Sequence, residues 1–251
     1  GIPARRYLTR AAHSVISVHK ELTDVVEGRA DAMKEKNDPF EPQLREIRML
    51  MARSLGETVL NRMAKDQHLF LSSGKMLRSR LLLRVGAASG TPDHTIFHAA
   101  AAVEMIHAAS LLHDDVIDGG FLRRNLPTFW TERGVPGAIL VGDLMLFKAL
   151  DLLGHAEDGR LVRSLVKMTG EVCDAESEQE LFLRGEAPTW ENCVTIARRK
   201  TGALFAFAAH AAGGRDEELA NTLRESGYAV GTAYQLADDI LDVVGTEEET
   251  G

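Results

Sequence analysis

Two short runs carry the same arrangement of acids: His113-Asp114-Asp115-Val116-Ile117-Asp118 and Ala237-Asp238-Asp239-Ile240-Leu241-Asp242. Each is Asp-Asp-x-x-Asp with apolar x positions, inside an otherwise apolar, helix-like stretch. On a helix, the spacing i, i+1, i+4 predicts three carboxylates on one side. Glycine follows each run, Gly119-Gly120 and Gly245, and reads as a helix stop. The acids then fall in the last turns, where the helix dipole is negative and disfavours anions. A carboxylate in apolar surroundings is costly unless paired or metal-bound. These groups therefore call for cations. Mg2+ suits them, because it prefers carboxylate oxygens, keeps waters and completes its shell with substrate phosphates. A solvated acidic helix end would explain one such run; two runs, each flanked by apolar residues, argue against it.

Basic residues recur in the same chain. Gly74-Lys75-Met76-Leu77-Arg78 opens a helix, and its glycine and helix N-terminus suit an anion, with Lys75 and Arg78 adding charge. Arg123-Arg124 follow the first acid run across the glycine pair, and the arginine fork matches phosphate oxygens. Lys200-Thr201 lies inside another apolar helix, whereas Arg198-Arg199 read as solvated surface. Metal-binding carboxylates and phosphate-binding cations in one cavity imply a diphosphate substrate.

Helices must position these groups, because helical periodicity dominates and strand or hairpin signals are nearly absent. The pattern predicts helices over 6–27, 41–67, 75–88, 94–118, 135–154, 158–183, 189–212 and 215–244. Gly90-Thr91-Pro92-Asp93, Gly134-Val135-Pro136-Gly137 and Gly213-Gly214 punctuate them, with Asp93 and Thr189 as N-caps. The alanine-rich 94–118 helix is apolar on most faces, which predicts a central, buried position. An all-α fold follows: an orthogonal helical bundle with the two motif helices facing each other across a central cavity. We expect a single domain over 1–251, with residues 1–40 forming peripheral helices.

Composition narrows the function classes. The 251 residues are 45% apolar and 26% charged, as in soluble globular proteins. A formal net charge of −8 argues against nucleic-acid binding. Two cysteines, Cys173 and Cys193, make no disulfide framework and fit a cytoplasmic location. The longest apolar run, 97–112, is interrupted by His98, Glu104 and His107, so no transmembrane segment is expected.

With these pieces in order, the chain resembles the all-trans polyprenyl diphosphate synthases. The ordered set is Gly74-Lys75-x-x-Arg78; Val103-Glu104-Met105-Ile106-His107; Leu112 to Asp118; Arg123-Arg124-x-x-Pro127-Thr128; Val141-Gly142-Asp143; Gly170-Glu171; Lys200-Thr201; and Tyr234-Gln235-x-x-Asp238-Asp239-x-x-Asp242. The resemblance implies an isoprenoid-synthase fold and a Mg2+-dependent prenyltransferase, a homodimer, that condenses isopentenyl diphosphate with an allylic prenyl diphosphate. It implies Asp114, Asp118, Asp238 and Asp242 as metal ligands, with Asp115 and Asp239 in the same acidic cluster. Arg123, Lys200 and Gln235 would serve the allylic diphosphate. Lys75, Arg78, His107 and Arg124, with the backbone at Gly74, would hold the isopentenyl diphosphate. Thr201 would present oxygen near the developing cation. The chain departs from the family pattern at Met76, where a basic residue is usual, at Ser79, where proline is usual, and at Asn125-Leu126. The family's basic residue beyond the second acid run is not seen before Gly251, so a closing C-terminal segment is expected to be missing or disordered.

In such enzymes a tunnel beside the first motif helix takes the growing tail. Ala102, Ile106, Ala109 and Ser110 would form its wall. The small pair at 109–110 implies a product longer than farnesyl, geranylgeranyl or beyond. A class I terpene cyclase shares the fold, but its Asn/Asp-x-x-Ser-x-x-x-Glu motif is replaced by Asp238-x-x-x-Asp242. A non-catalytic subunit would be expected to lose aspartates. A di-iron bundle needs a second partner for Glu104-x-x-His107, and a purely structural helical protein leaves the acidic helix ends unexplained.

Overall fold

The computed structural model describes residues 39–63, 74–123, 126–155, 159–185, 187 and 189–244. The chain divides into two compact units, Gly1–Pro42 and Gln43–Gly251. The first lies almost wholly outside the described residues, as do the 6–27 helix expected there, Arg124 and Gly245. All packing described below belongs to the second unit.

Helix follows helix: α1 Glu41–Gly56, α2 Leu77–Ser89, α3 Asp93–Ile117, α4 Phe129–Gly154, α5 Gly159–Glu178, α6 Trp190–Ala197, α7 Ala203–Ala212 and α8 Glu217–Val244. Two π-helical turns interrupt the run, π1 Gln179–Leu183 after α5 and π2 Arg198–Gly202 between α6 and α7. The helices expected over 158–183 and 189–212 run through these turns, because a π turn keeps the helical polar–apolar alternation and inserts only one residue into the ladder. Strand and hairpin signals are nearly absent from the sequence. A minimal antiparallel pair exists nevertheless, Leu122–Arg123 against Leu126–Pro127. Two-residue strands are too short to show alternation.

Helix α3 is the axis. Its alanines pack without side-chain bulk, so Ala99 to Ile106 are buried without a break, and α2, α4, α5 and α7 all contact it. By length and composition this helix could cross a membrane, which corrects the expectation that no segment reaches that length. Burial among neighbouring helices accounts for its apolarity. Asp93 is the first helical residue rather than the N-cap, which is Pro92. Thr189 does cap α6, its hydroxyl oxygen accepting from the Asn192 N–H at 3.1 Å. Helix α4 begins earlier than expected and bends at Gly134, whose φ of 76° suits glycine. Turn π2 and helix α8 pack so closely that a Cβ at Gly231 would sit 2.7 Å from the Gly202 Cα. That approach brings the second acid run level with π2.

Candidate active site

The end of α3 sets the first acid run. Asp118 caps the helix in αR geometry, and Gly119, at φ 64°, turns the chain away. The loop that follows is pinned at one carbonyl. Trp130 Nε1 and Thr128 Oγ1 both donate to Gly120 O, at 2.8 and 2.7 Å. Trp130, a residue without a role at the sequence level, therefore fixes the loop that carries Arg123.

The three aspartates do not share one side, contrary to the spacing argument. Successive residues on a helix are turned by about 100°, and that separates Asp115 from Asp114. Asp114 is half-buried and borders a cavity of about 1090 Å3. Asp115 is buried and borders neither this cavity nor its neighbour. Its Oδ1 instead accepts from Arg123 Nε at 2.9 Å and pairs with Arg123 Nη2 at 2.8 Å. Asp115 thus anchors Arg123, whose side chain borders the large cavity. Asp118 is exposed and borders a smaller cavity of about 550 Å3.

Across the cavity, α8 divides its acids in the same way. Asp238 borders the large cavity and Asp239 the small one, and both are exposed. The Asp242 backbone belongs to α8, and its side chain lies outside the described residues. Lys200 and Gln235 border both cavities. A relay of hydrogen bonds orients this wall: Thr201 Oγ1 donates to Gln235 Oε1 at 2.6 Å, and Gln235 Nε2 donates to Asp239 Oδ1 at 2.7 Å.

The wide π2 turn explains why Lys200 and Thr201 both reach the cavity. Its flanking cations clamp it in place. Arg198 pairs with Glu225 of α8 at 3.0 Å and lies 4.0 Å over the Tyr228 ring. Arg199 pairs with Asp174 and Glu178 of α5. These two arginines are therefore tethers rather than solvated surface: the consecutive residues fan out to two different helices. Lys200 pairs with Glu176 of α5. The sequence reading missed Glu176, and no local signal marks it beyond its helical register with Val172 and Cys173. Glu171, noted in a motif, accepts from Tyr228 Oη at 2.5 Å.

Electrostatics at this wall are strained in a way a cation relieves. Burial pushes the Asp114 carboxyl up to about 6, with Lys200 and Arg123 opposing and Glu176 and Asp118 reinforcing. Burial works against the Lys200 ammonium, but the Glu176 hydrogen bond and the charges of Asp114, Glu176 and Asp118 outweigh it and hold Lys200 above its ordinary range. Among the described residues no group of three or more His, Cys, Asp or Glu is close enough to hold a metal unaided. Hard oxygen donors spread around a cavity, one of them costly to ionise, still fit a cation that brings its own waters and shares phosphate oxygens.

The remaining expected residues fall as follows. Gly74, Lys75, Arg78, His107 and Thr201 border the large cavity with Asp114 and Asp238. Met76, buried and in left-handed geometry at φ 48°, ends the approach to α2 and aims that helix's N-terminus along the cavity wall. Of the four tail-wall residues, Ser110 borders the cavity, whereas Ala102, Ile106 and Ala109 do not. These three share a helix face with His113, whose Nε2 lies 3.2 Å from Ile139 O and whose ring abuts Gly142, both on α4. The apolar lining instead includes Ala108, Leu111, Val172, Leu204 and Phe205, with Met51 and Ala52 of α1.

The profile of the polyprenyl synthetase family matches residues 58–251. The chain is similar to a geranylfarnesyl diphosphate synthase of Methanosarcina mazei, 37% identical over 190 residues that cover 72% of this chain and 62% of that protein. It is similar to heptaprenyl diphosphate synthase component 2 of Bacillus subtilis, also 37% identical, over 73% of this chain and 54% of that protein. The chain thus spans less than two thirds of the length of these relatives. Among solved structures, a polyprenyl synthase from Caulobacter crescentus complexed with calcium and isoprenyl diphosphate superposes with a TM-score of 0.78 at 31% identity, covering 84% of this chain and 66% of that one. The acid-lined helical cavity is therefore that of a family member: the chain belongs to the polyprenyl synthetase family.

Proposed function

We propose that the chain is a prenyltransferase that condenses isopentenyl diphosphate with an allylic prenyl diphosphate to make an all-trans polyprenyl diphosphate of geranylgeranyl length or longer, with Mg2+ as the working cation. One observation carries this reading. A single cavity is bounded both by Asp114 and Asp238 and by Lys75, Arg78, Arg123 and Lys200. Asp114, Asp118, Asp238 and Asp242 would hold the cation, which when bound neutralises diphosphate oxygens and eases their departure. Arg123 and Lys200 receive the allylic diphosphate as it leaves. Lys75 and Arg78, beside the N-terminus of α2, hold the second diphosphate so that its double bond faces the allylic carbon. The proton lost in forming the new double bond passes to the departed diphosphate. The Ala108, Leu111, Val172, Leu204 and Phe205 wall takes the tail and keeps water from the allylic carbocation left when the C–O bond to the departing diphosphate breaks.

The small residues Ala108 and Ser110 at this wall, and relatives named for geranylfarnesyl and heptaprenyl products, support a long product. A homodimer is supported by the exposed apolar side chains Ile139, Leu140 and Phe147 of α4 and by the exposed Phe121, Leu122 and Leu126. A cytoplasmic location, and a single catalytic domain, accord with two free cysteines and one central helix. Incubation with Mg2+, labelled isopentenyl diphosphate and farnesyl diphosphate, then chromatography of the dephosphorylated products, tests the proposal. An alcohol of geranylgeraniol length or longer is expected. Farnesol alone from shorter primers would overturn the length, and no incorporation would overturn the activity.

A further inference from the structure

Arg78 is 9% exposed and borders the large cavity, its guanidinium carbon 4.9 Å from the centre of the Phe205 ring. Its Nε is buried without a hydrogen-bond partner. Burial lowers its pKa, and the charge of Glu104 is the main influence opposing that. Glu104 is itself 7% exposed and borders the same cavity. A buried arginine and glutamate that feel each other's charge and border one cavity can close into a fork-to-carboxylate pair. Here Glu104 Oε1 is engaged elsewhere. It accepts from the Ser79 backbone N–H at 3.0 Å and from Ser79 Oγ at 2.9 Å.

The backbone explains that choice. Ser79 is the third residue of α2, so its N–H has no acceptor within the helix. Met76, at the N-cap position, offers no side-chain acceptor. Glu104 reaches across from α3 to fill that role, favoured by the positive end of the helix dipole. The serine hydroxyl doubles the attachment. Proline, the residue usual at this position in the family, would supply neither donor.

We propose that Ser79 is a positioning residue for the non-allylic diphosphate: by holding Glu104 on the end of α2 it keeps that carboxylate from closing onto Arg78, so that the guanidinium fork stays open to the incoming anion. Glu104 remains near enough to offset the burial of the cation without occupying it. This role rests on the function proposed above.

The test uses the full chain and three variants, with isopentenyl diphosphate binding followed by titration calorimetry beside steady-state kinetics. Ser79→Pro removes both donors at a first-turn position where proline is tolerated; Ser79→Ala removes one. The dissociation constant and KM for isopentenyl diphosphate should rise roughly tenfold in S79P and roughly threefold in S79A. The loss falls on this KM rather than on kcat or on the KM for the allylic substrate. Adding E104Q to S79P should bring the KM back toward wild type, because an amide does not neutralise Arg78. A lower melting temperature with an unmoved KM would overturn the proposal, as would failure of the double variant to recover. Wild-type turnover with an unchanged S79P KM overturns this role alone. A wild-type chain that neither binds nor turns over isopentenyl diphosphate overturns the function and this role together.

Discussion

The two acid runs are near-copies in sequence and opposites in structure. On α3, Asp115 is buried and committed to Arg123, and Asp114 is half-buried with a raised pKa. On α8, Asp238 and Asp239 are exposed, and what orients Asp239 is the neutral relay through Gln235 and Thr201. The first two acids of the α3 run are set into the fold, and only Asp118 is exposed. The α8 run is presented at the rim. Identical motifs thus sit in different settings: Asp114 and Asp115 are held within the fold, whereas Asp238 and Asp239 stand exposed at the cavity rims.

Breaking the fixed side should cost most. Asp114→Asn is expected to lower kcat about 10³-fold, because a preorganised charge is lost from a dry site. Asp238→Asn should cost about 10²-fold, and raising Mg2+ should recover part of it, since Asp238 is exposed and less preorganised than Asp114. Equal losses, both insensitive to metal concentration, would erase the proposed asymmetry.

The relay comes next. Gln235→Leu removes both hydrogen bonds and should raise the Mg2+ requirement by about tenfold, read from activity against metal concentration. The corresponding break on the α3 side, Arg123→Leu, strands the buried Asp115. It should lower the melting temperature, because a buried carboxylate loses its partner, whereas Q235L should leave it nearly unchanged.

pH sharpens the contrast further. Burial raises the folded-state pKa of Asp114 to about 6, so the native carboxyl keeps a proton that the unfolded chain has released. Its contribution to stability therefore declines as pH rises from the ordinary carboxylate range through about 6, and above that the full cost of a buried anion stands. A bound cation removes that cost. The rise in melting temperature given by Mg2+ with inorganic diphosphate should thus grow as pH climbs through about 6, and D114N should flatten the dependence. An equal pH response in D114N would assign the titration elsewhere.

The smallest effect is on product length. Ser110→Phe points into the cavity and should shorten the product by one or more isoprene units. Ala109→Phe should instead destabilise the α3–α4 packing, because Ala109 is fully buried off the cavity. Shortening by A109F alone would restore the wall expected from sequence.

Much of this site was legible in the sequence because its residues carry types and spacings with little other use. Lys75, Arg78, His107, Asp114, Arg123, Lys200, Thr201, Gln235 and Asp238 all border one cavity. Helix positions were also readable, since alanine-rich α3 and the glycine and proline breaks leave strong periodic marks. What stayed hidden depends on phase and on partners distant in sequence. Asp115 turned inward through a single step of helix rotation. The π2 turn sent Arg198 and Arg199 to opposite helices, which no pattern of period 3.6 announces. Glu176 and Ser79 matter only through partners 24 and 25 positions away.

Under the proposed function the two acid runs act together, through divalent cations, on a leaving diphosphate. The direct measurement is product formation from isopentenyl and allylic diphosphates, with Mg2+, by the wild-type chain and by the Asp114→Asn/Asp238→Asn double variant. The account predicts wild-type turnover that chelation abolishes, and a folded double variant with no product above background. A folded double variant turning over at the wild-type rate would contradict it.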